Sequence, residues 1–306
     1  MTAQRPLLGI VLLILSTWAL SSLDASGKWI MAAGLPLLVM CWVRYLIHWV
    51  LVVGIIVPIK GFGVFKAKRP TDQILRGFIM LFATLSFFSA LRYLPQAEAT
   101  AINFLAPLIV LAIAPWILKE PSRISRWIAA AVGFMGVLLI IRPSSGLHPL
   151  GVVFGLITAV LFSTQYIVTR RVAVDDAMTT LIWSGSVGTL LITLIMPFIL
   201  PEIWPIFSTF KTSHWLAMVA TGVFGALGHL LQIQAYQRAP ASLLAPFVYL
   251  QIISAAGLGW LVWGQFPDAI SWVGIAIVAG SGGVIACLEW RQQQKTKQAA
   301  ANPVQK

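Results

Sequence analysis

Ala90-Leu-Arg-Tyr-Leu-Pro95 and Ala235-Tyr-Gln-Arg-Ala-Pro240 are two copies of one passage, 145 residues apart. The correspondence runs on in both directions at the same offset. It pairs Gly77 with Gly222, Leu105 with Leu250 and Trp127 with Trp272. Near the N-terminus the offset is 142, matching Gly9 with Gly151, Ser21 with Ser163 and Lys28 with Arg170. A weak internal repeat in an apolar chain is the mark of a carrier made of two halves, with a solute site between them.

Working outward, the composition places the repeat in a membrane. The chain is 59% apolar and 10% charged, against about 45–50% and 25% in soluble domains. Ten apolar runs approach the ~20 residues that a bilayer core requires. They cover 7–27, 30–57, 75–94, 97–118, 125–141, 149–169, 179–200, 214–237, 240–263 and 271–289. The fold class expected is all-α integral membrane: ten transmembrane helices in two inverted five-helix repeats. Repeat 1 takes 7–141 and repeat 2 takes 149–289. The Gln- and Lys-rich stretch 290–306 reads as a disordered cytoplasmic tail.

The net charge of +12 invites a nucleic-acid reading, but its distribution opposes one. With the N-terminus inside, 16 of the 21 Lys and Arg residues fall on inner segments and 4 on outer ones, leaving Arg44 within a span. This is the positive-inside bias of a multi-pass inner-membrane protein with both termini cytoplasmic. Five spans per repeat, an odd number, require the second copy to be inverted. The basic loop holding Lys119, Arg123 and Arg126 accordingly aligns with Gly264, Asp268 and Ser271.

Ionisable side chains within spans are costly and face a cavity or a partner. Arg44 lies near mid-membrane in span 2, where a carboxylate partner, Asp24 or Glu98, or direct substrate contact accounts for it. Asp24 and Lys28 share a face at the outer end of span 1, as a surface pair or as functional groups. Glu98 opens span 4 after Pro95, as a helix-dipole carboxylate or as a proton-coupling site with Arg92 nearby. Amides and aromatics complete the candidate substrate-binding set: Trp18, Asn103, Gln165, Tyr166, Gln232, Tyr236, Tyr249 and Gln251, together with Arg44. Each of these is also a plausible helix contact. His48 and His229 read as core histidines, Cys41 and Cys287 as small buried hydrophobes. Gly274, Gly280, Gly282 and Gly283 in span 10 read as close-packing positions. No metal-ligand spacing, phosphate loop or soluble catalytic domain appears, so neither a cofactor nor an enzyme activity is expected.

Tyr93-Leu-Pro-Gln-Ala-Glu98-Ala-Thr-Ala-Ile-Asn103, Ala106-Pro107, Lys119-Glu120, Trp127, Gly133-Phe-Met-Gly136 and Trp42-Val-Arg44-Tyr45 together resemble the EamA domain of the drug/metabolite transporter superfamily. The resemblance covers about residues 7–289 and implies ten spans in two inverted repeats. Asp24-Ala-Ser-Gly-Lys28, Arg44-Tyr45 and Arg92-Tyr93-Leu94-Pro95 are most similar to a branch whose members carry S-adenosylmethionine, riboflavin and metallophore-type metabolites. One departure stands out: the acidic residue usual after span 9 is Gln265 here, which favours a structural role for Glu120.

The expected function is secondary transport of a small, amino-acid-like or otherwise amphipathic organic solute by alternating access, with export as one direction left open. An uptake permease for a cofactor-like solute such as S-adenosylmethionine or riboflavin is the alternative. A membrane-embedded enzyme or a non-transporting subunit is the rival from another class. Partners expected are the solute and membrane lipid, with no nucleic acid, in a monomer or homodimer.

Overall fold

The computed structural model describes residues 6–117, 124–142, 145–239, 244 and 247–301. Lys119, Glu120 and Arg123, all singled out by the sequence, lie outside them. Among the described residues the chain is helical throughout, with no strand. The helices are α1 (Pro6–Ala32), α2 (Leu37–Lys60), α3 (Pro70–Tyr93), α4 (Gln96–Asn103), α5 (Leu105–Ile117) and α6 (Ile124–Ile140). The second half holds α7 (Pro149–Arg171), α8 (Ala177–Ser208), α9 (Thr212–Arg238), α10 (Leu250–Trp263) and α11 (Ala269–Ala301). With α4 and α5 as one interrupted span, these are the ten membrane-crossing segments. Six are long enough to cross alone, and four have shorter apolar helical stretches. The 27 residues of α1 extend about 40 Å at 1.5 Å per residue, more than the ~30 Å hydrocarbon core.

Several boundaries differ from expectation. Residues 30–32 end α1 instead of opening span 2, because Gly34, at φ +100°, and Pro36 turn the chain there. The segment 201–208 continues α8 through Pro201 and Pro205. The tail is helical through Ala301; Gln, Lys and Ala are good helix formers even without a buried face. Span 4 breaks at Phe104. Pro107 has no N–H to offer the Asn103 carbonyl one turn back, and α5 restarts at Leu105. In the second copy α10 starts at Leu250, the position aligned with Leu105.

Helices pack across the two halves reciprocally. α1 lies along α9 as α7 lies along α3, and α2 meets α9 as α8 meets α3; α2–α8 and α6–α11 form the contacts between equivalents. Such an exchange pattern belongs to two similar units related by a two-fold axis. The repeated glycines sit at the crossings. A Cβ on Gly77 would fall 2.6 Å from Cβ of Val187, and one on Gly222 2.3 Å from Cβ of Ile47. Likewise Gly9 abuts Ala239 at 2.7 Å, and Gly151 abuts Leu94 at 2.7 Å. Tyr45 packs on Gly188 while His48 packs on Gly185. On the axis the rings of Phe104 and Tyr249, the two break residues, meet with centroids 4.9 Å apart.

α6 and α11 cross at Gly136 and Gly274. A Cβ at 274 would approach the Gly136 carbonyl oxygen to 2.6 Å, and one at 136 the Gly274 oxygen to 2.9 Å. Backbone cannot yield as a side chain can, so Gly274→Val is expected to cost about 1–3 kcal/mol by overpacking. Gly280 has nothing within 4 Å, so Gly280→Ala should be silent. Melting of the two variants in detergent checks this; equal melting would show that the crossing tolerates side chains. Of the four span 10 glycines, then, only two work at contacts: Gly274, and Gly282, which lies against the Tyr249 hydroxyl.

Candidate functional site

Four helices bring polar groups to the axis. α2 supplies Arg44, Tyr45 and His48, a set spaced to share one helical face; α3 supplies Met80, α8 supplies Leu181, Ser184 and Gly185, and α9 supplies His229. They enclose a narrow cavity with room for about one water. The His48 and His229 rings meet edge to face at 5.7 Å. Arg44 is only 9% exposed. Its guanidinium lies 5.0 Å from the Tyr45 ring centre and 5.9 Å from that of Phe88. Nη1 donates a long 3.4 Å bond to Thr84 Oγ1, which also bonds the Tyr45 hydroxyl at 3.0 Å. Arg44 Nε is buried with no partner. The expected ion pair with Asp24 or Glu98 is not formed: among the described residues no carboxylate lies within 4 Å of Arg44. Asp24 is itself buried and acts on Arg44 only through the longer-range field.

A second arginine serves the same axis. Arg76 Nε donates to Thr169 Oγ1 at 2.8 Å, and Nη1 donates to the Ser184 hydroxyl. In sequence Arg76 counts among the inner-segment charges, at the very edge of the run 75–94; the helix begins at Pro70 and carries it inward. Beside it Gln73, fully buried, donates to Asp175 at 2.9 Å and Thr180 at 3.0 Å. Neither partnership is visible in sequence, since the partners lie about a hundred residues away.

From His229 a polar stripe of α9 runs toward the end of the bundle where α1 begins. His229, Gln232 and Tyr236 occupy one stripe of α9 at intervals of three and four residues. Tyr236 is 42% exposed, although it lies nine residues, hence half a turn, from Leu227 on the helix's outer apolar stripe. Tyr166 on α7 repeats the pattern: it is 45% exposed and half a turn from exposed Ile157. Both tyrosines are thus exposed on the faces opposite the outer stripes of two helices that share no extensive interface. Gln165, beside Tyr166, is buried with Oε1 unpartnered.

At the helix breaks, Asn103 holds a buried, unpartnered Oδ1 next to the Phe104–Tyr249 ring pair. Gln251 takes part through its backbone carbonyl, which accepts from Ser254 Oγ at 3.0 Å and Ser21 Oγ at 3.4 Å. Gln96, fully buried and missed in sequence, donates to the Ser21 carbonyl at 2.8 Å. Trp18 joins neither group. It continues the exposed stripe of Val11 and Leu15 and reaches Gly257 on α10.

The opposite end is closed. Lys28 does not pair with Asp24; its Nζ donates to the Leu94 carbonyl at 2.7 Å and to Gln265 Oε1 at 3.1 Å, with the Trp263 ring 5.0 Å away. The residue that departs from the family pattern is thus the acceptor that ties α1 to the end of α10. Glu98, buried in the first turn of α4, has Oε2 unpartnered. The cation acting on it is Lys28; the expected Arg92 is exposed. Arg142 bonds Asp268 at 2.5 Å across the same end. At the other end Lys60 bonds Asp176 at 2.7 Å, and Asp176 caps α8 through Met178 N–H. Cys41 is buried as expected, but Cys287 is exposed.

The Lys60 hydrogen bond holds the Asp176 carboxyl below its ordinary value. A depressed carboxyl stabilises the fold above its unfolded pKa and loses that contribution as pH falls through the folded one. Acidification below about pH 4 should therefore loosen the 172–176 turn slightly, because the pair is half-exposed and worth at most ~1 kcal/mol. Hydrogen exchange of the Met178 amide measures it; a pH-independent rate would contradict it.

The EamA-like transporter family profile matches the chain twice, at residues 7–142 and 149–286. The S-adenosylmethionine uptake transporter of Rickettsia prowazekii is 25% identical, over 71% of this chain and 72% of that protein. The pseudopaline exporter of Pseudomonas aeruginosa is 25% identical, over 94% of this chain and 97% of that one. A protein of known crystal structure, 21% identical, superposes with a TM-score of 0.62 over 94% of this chain and 98% of its own; the likeness is one of fold. With two profile matches spanning the membrane helices, the chain belongs to the EamA-like transporter family, a multi-pass membrane transporter of small molecules.

Proposed function

We propose that this chain is a secondary transporter of the inner membrane, with both termini cytoplasmic. It would move a small amphipathic organic solute by alternating access between two repeats, 7–141 and 149–289, with 290–306 as a cytoplasmic extension. The observation that carries the reading is that Tyr166 and Tyr236 stay nearly half-exposed opposite their helices' outer stripes, as the walls of a cleft would, while the opposite end is tied by Lys28. That is one of the two states a carrier alternates between, here open toward the cytoplasm. The solute path runs past Tyr166, Gln165, Tyr236 and Gln232 to the axis at Arg44, with Asn103, Tyr249 and Gln251 at the helix breaks. Trp18 takes no part in it. Asp24 and Glu98 are the carboxylates available for proton coupling.

Both transport directions occur among the relatives, one of which is named for uptake and another for export. Solute counterflow into vesicles containing only this chain tests the reading. Flux above protein-free vesicles, reduced about tenfold or more by Tyr166→Ala with Tyr236→Ala, is expected. No flux for any solute class would return the chain to the non-transporting alternative.

A further inference from the structure

We infer that the solute carries a compact anionic group, a carboxylate in the first instance, which docks on Arg44 at the bottom of the cleft. The inference rests on the transport reading and adds the charge of the cargo to it.

Three observations support it. First, the buried charge does not balance. Arg44 and Arg76 both reach the axis, and their bonded partners are the neutral hydroxyls of Thr84, Thr169 and Ser184. Asp24 acts on Arg44 from within the spans but stays beyond 4 Å, and among the described residues no carboxylate pairs with either arginine. A guanidinium withdrawn from water without a counter-charge is unfavourable, and the ring faces of Tyr45 and Phe88 offset only part of that. An incoming anion supplies the rest.

Second, the free edge of the group has the right shape. Thr84 occupies Nη1 with a long bond, while Nε of this cavity-lining residue is buried and unpartnered. Nε and Nη2 form the side of the guanidinium fork that takes both oxygens of a carboxylate. His48 and His229, whose rings meet at 5.7 Å, line the same cavity beside it.

Third, the rest of the path suits the remainder of such a molecule. Gln232, Tyr236, Gln165 and Tyr166 present amides and phenols for an amphipathic body. The cavity now has room for about one water, so docking must widen it, as a carrier's occluding step requires.

Free acids and methyl esters of N-acetyl phenylalanine, N-acetyl methionine and N-acetyl glutamine test the inference on the purified full chain. Within each pair the body is the same and only the anion is removed. At least one acid should raise the melting temperature and bind ten times or more tighter than its ester. Arg44→Gln should abolish that preference, and Arg44→Lys should retain part of it. Esters that bind within threefold of their acids, a preference that survives Arg44→Gln, or no shift with any acid would each overturn the inference. If Arg44→Gln does not fold, the acid–ester ratio in the unsubstituted protein decides alone. Flux of neutral or cationic solutes together with a failed acid preference would sink the anion site and leave the transport reading intact.

Discussion

Arg44→Ala is expected to reduce solute flux at least a hundredfold, while the protein still folds and inserts. The two effects separate because the side chain's structural ties are weak. It loses contacts with two aromatic rings, each worth about 0.5–2 kcal/mol, and one long hydrogen bond to Thr84. Against this stands relief from keeping a guanidinium buried without an ion pair. Flux has no such compensation, since the axis cavity loses the cation that organises it and Asp24 loses the charge acting on it. Counterflow in vesicles matched for folded protein measures the first effect, and melting measures the second. Normal flux in the variant would make Arg44 a packing residue and would displace the proposed site. Loss of folded protein in proportion to lost flux would make its role structural.

Neutralising the buried carboxylates should separate coupling from exchange. If transport is proton-driven, Glu98→Gln is expected to abolish the response to an imposed pH gradient while counterflow persists, because counterflow needs only solute binding and the rocking motion. Glu98 is placed for this. It is buried at the start of α4, one oxygen has no partner, and the cation acting on it is Lys28, which ties the closed end. A proton arriving there would change the charge beside the tie itself. Asp24→Asn is the parallel variant, next to Arg44 instead. Intact gradient responses in both variants would leave an exchanger or facilitator.

Much of the architecture could be read from the chain because its symmetry is written in small residues. Gly77 and Gly222, like Gly9 and Gly151, recur because each lies under a crossing helix with less than 3 Å to spare for a Cβ; only glycine meets that demand in both copies. The spans follow from the requirement that backbone groups be satisfied inside lipid. Helix ends were less legible where polar sequence stays helical, as in the tail, or where a proline breaks a span, as at Pro107. The groups of the proposed site were legible in part. Arg44, Tyr166 and Tyr236 could be singled out as costly or amphipathic groups within spans. Their phase could not, because these helices are apolar nearly all round, and that is why Trp18 looked like a site residue although it shares the outer stripe of Val11 and Leu15. Arg76, Gln73 and Gln96 escaped because their partners come from other helices, at sequence separations that no local pattern encodes.

Alternating access requires the closed end to open in every cycle, and the Lys28–Gln265 contact is where that can be prevented. In a Cys287→Ser background, Lys28→Cys with Gln265→Cys can be bridged by a short bismaleimide, since the remaining Cys41 is buried. Each single-cysteine variant treated alike serves as the control. The account predicts that bridging the pair abolishes solute counterflow while the singly labelled controls retain it. Full flux through the bridged protein would contradict it.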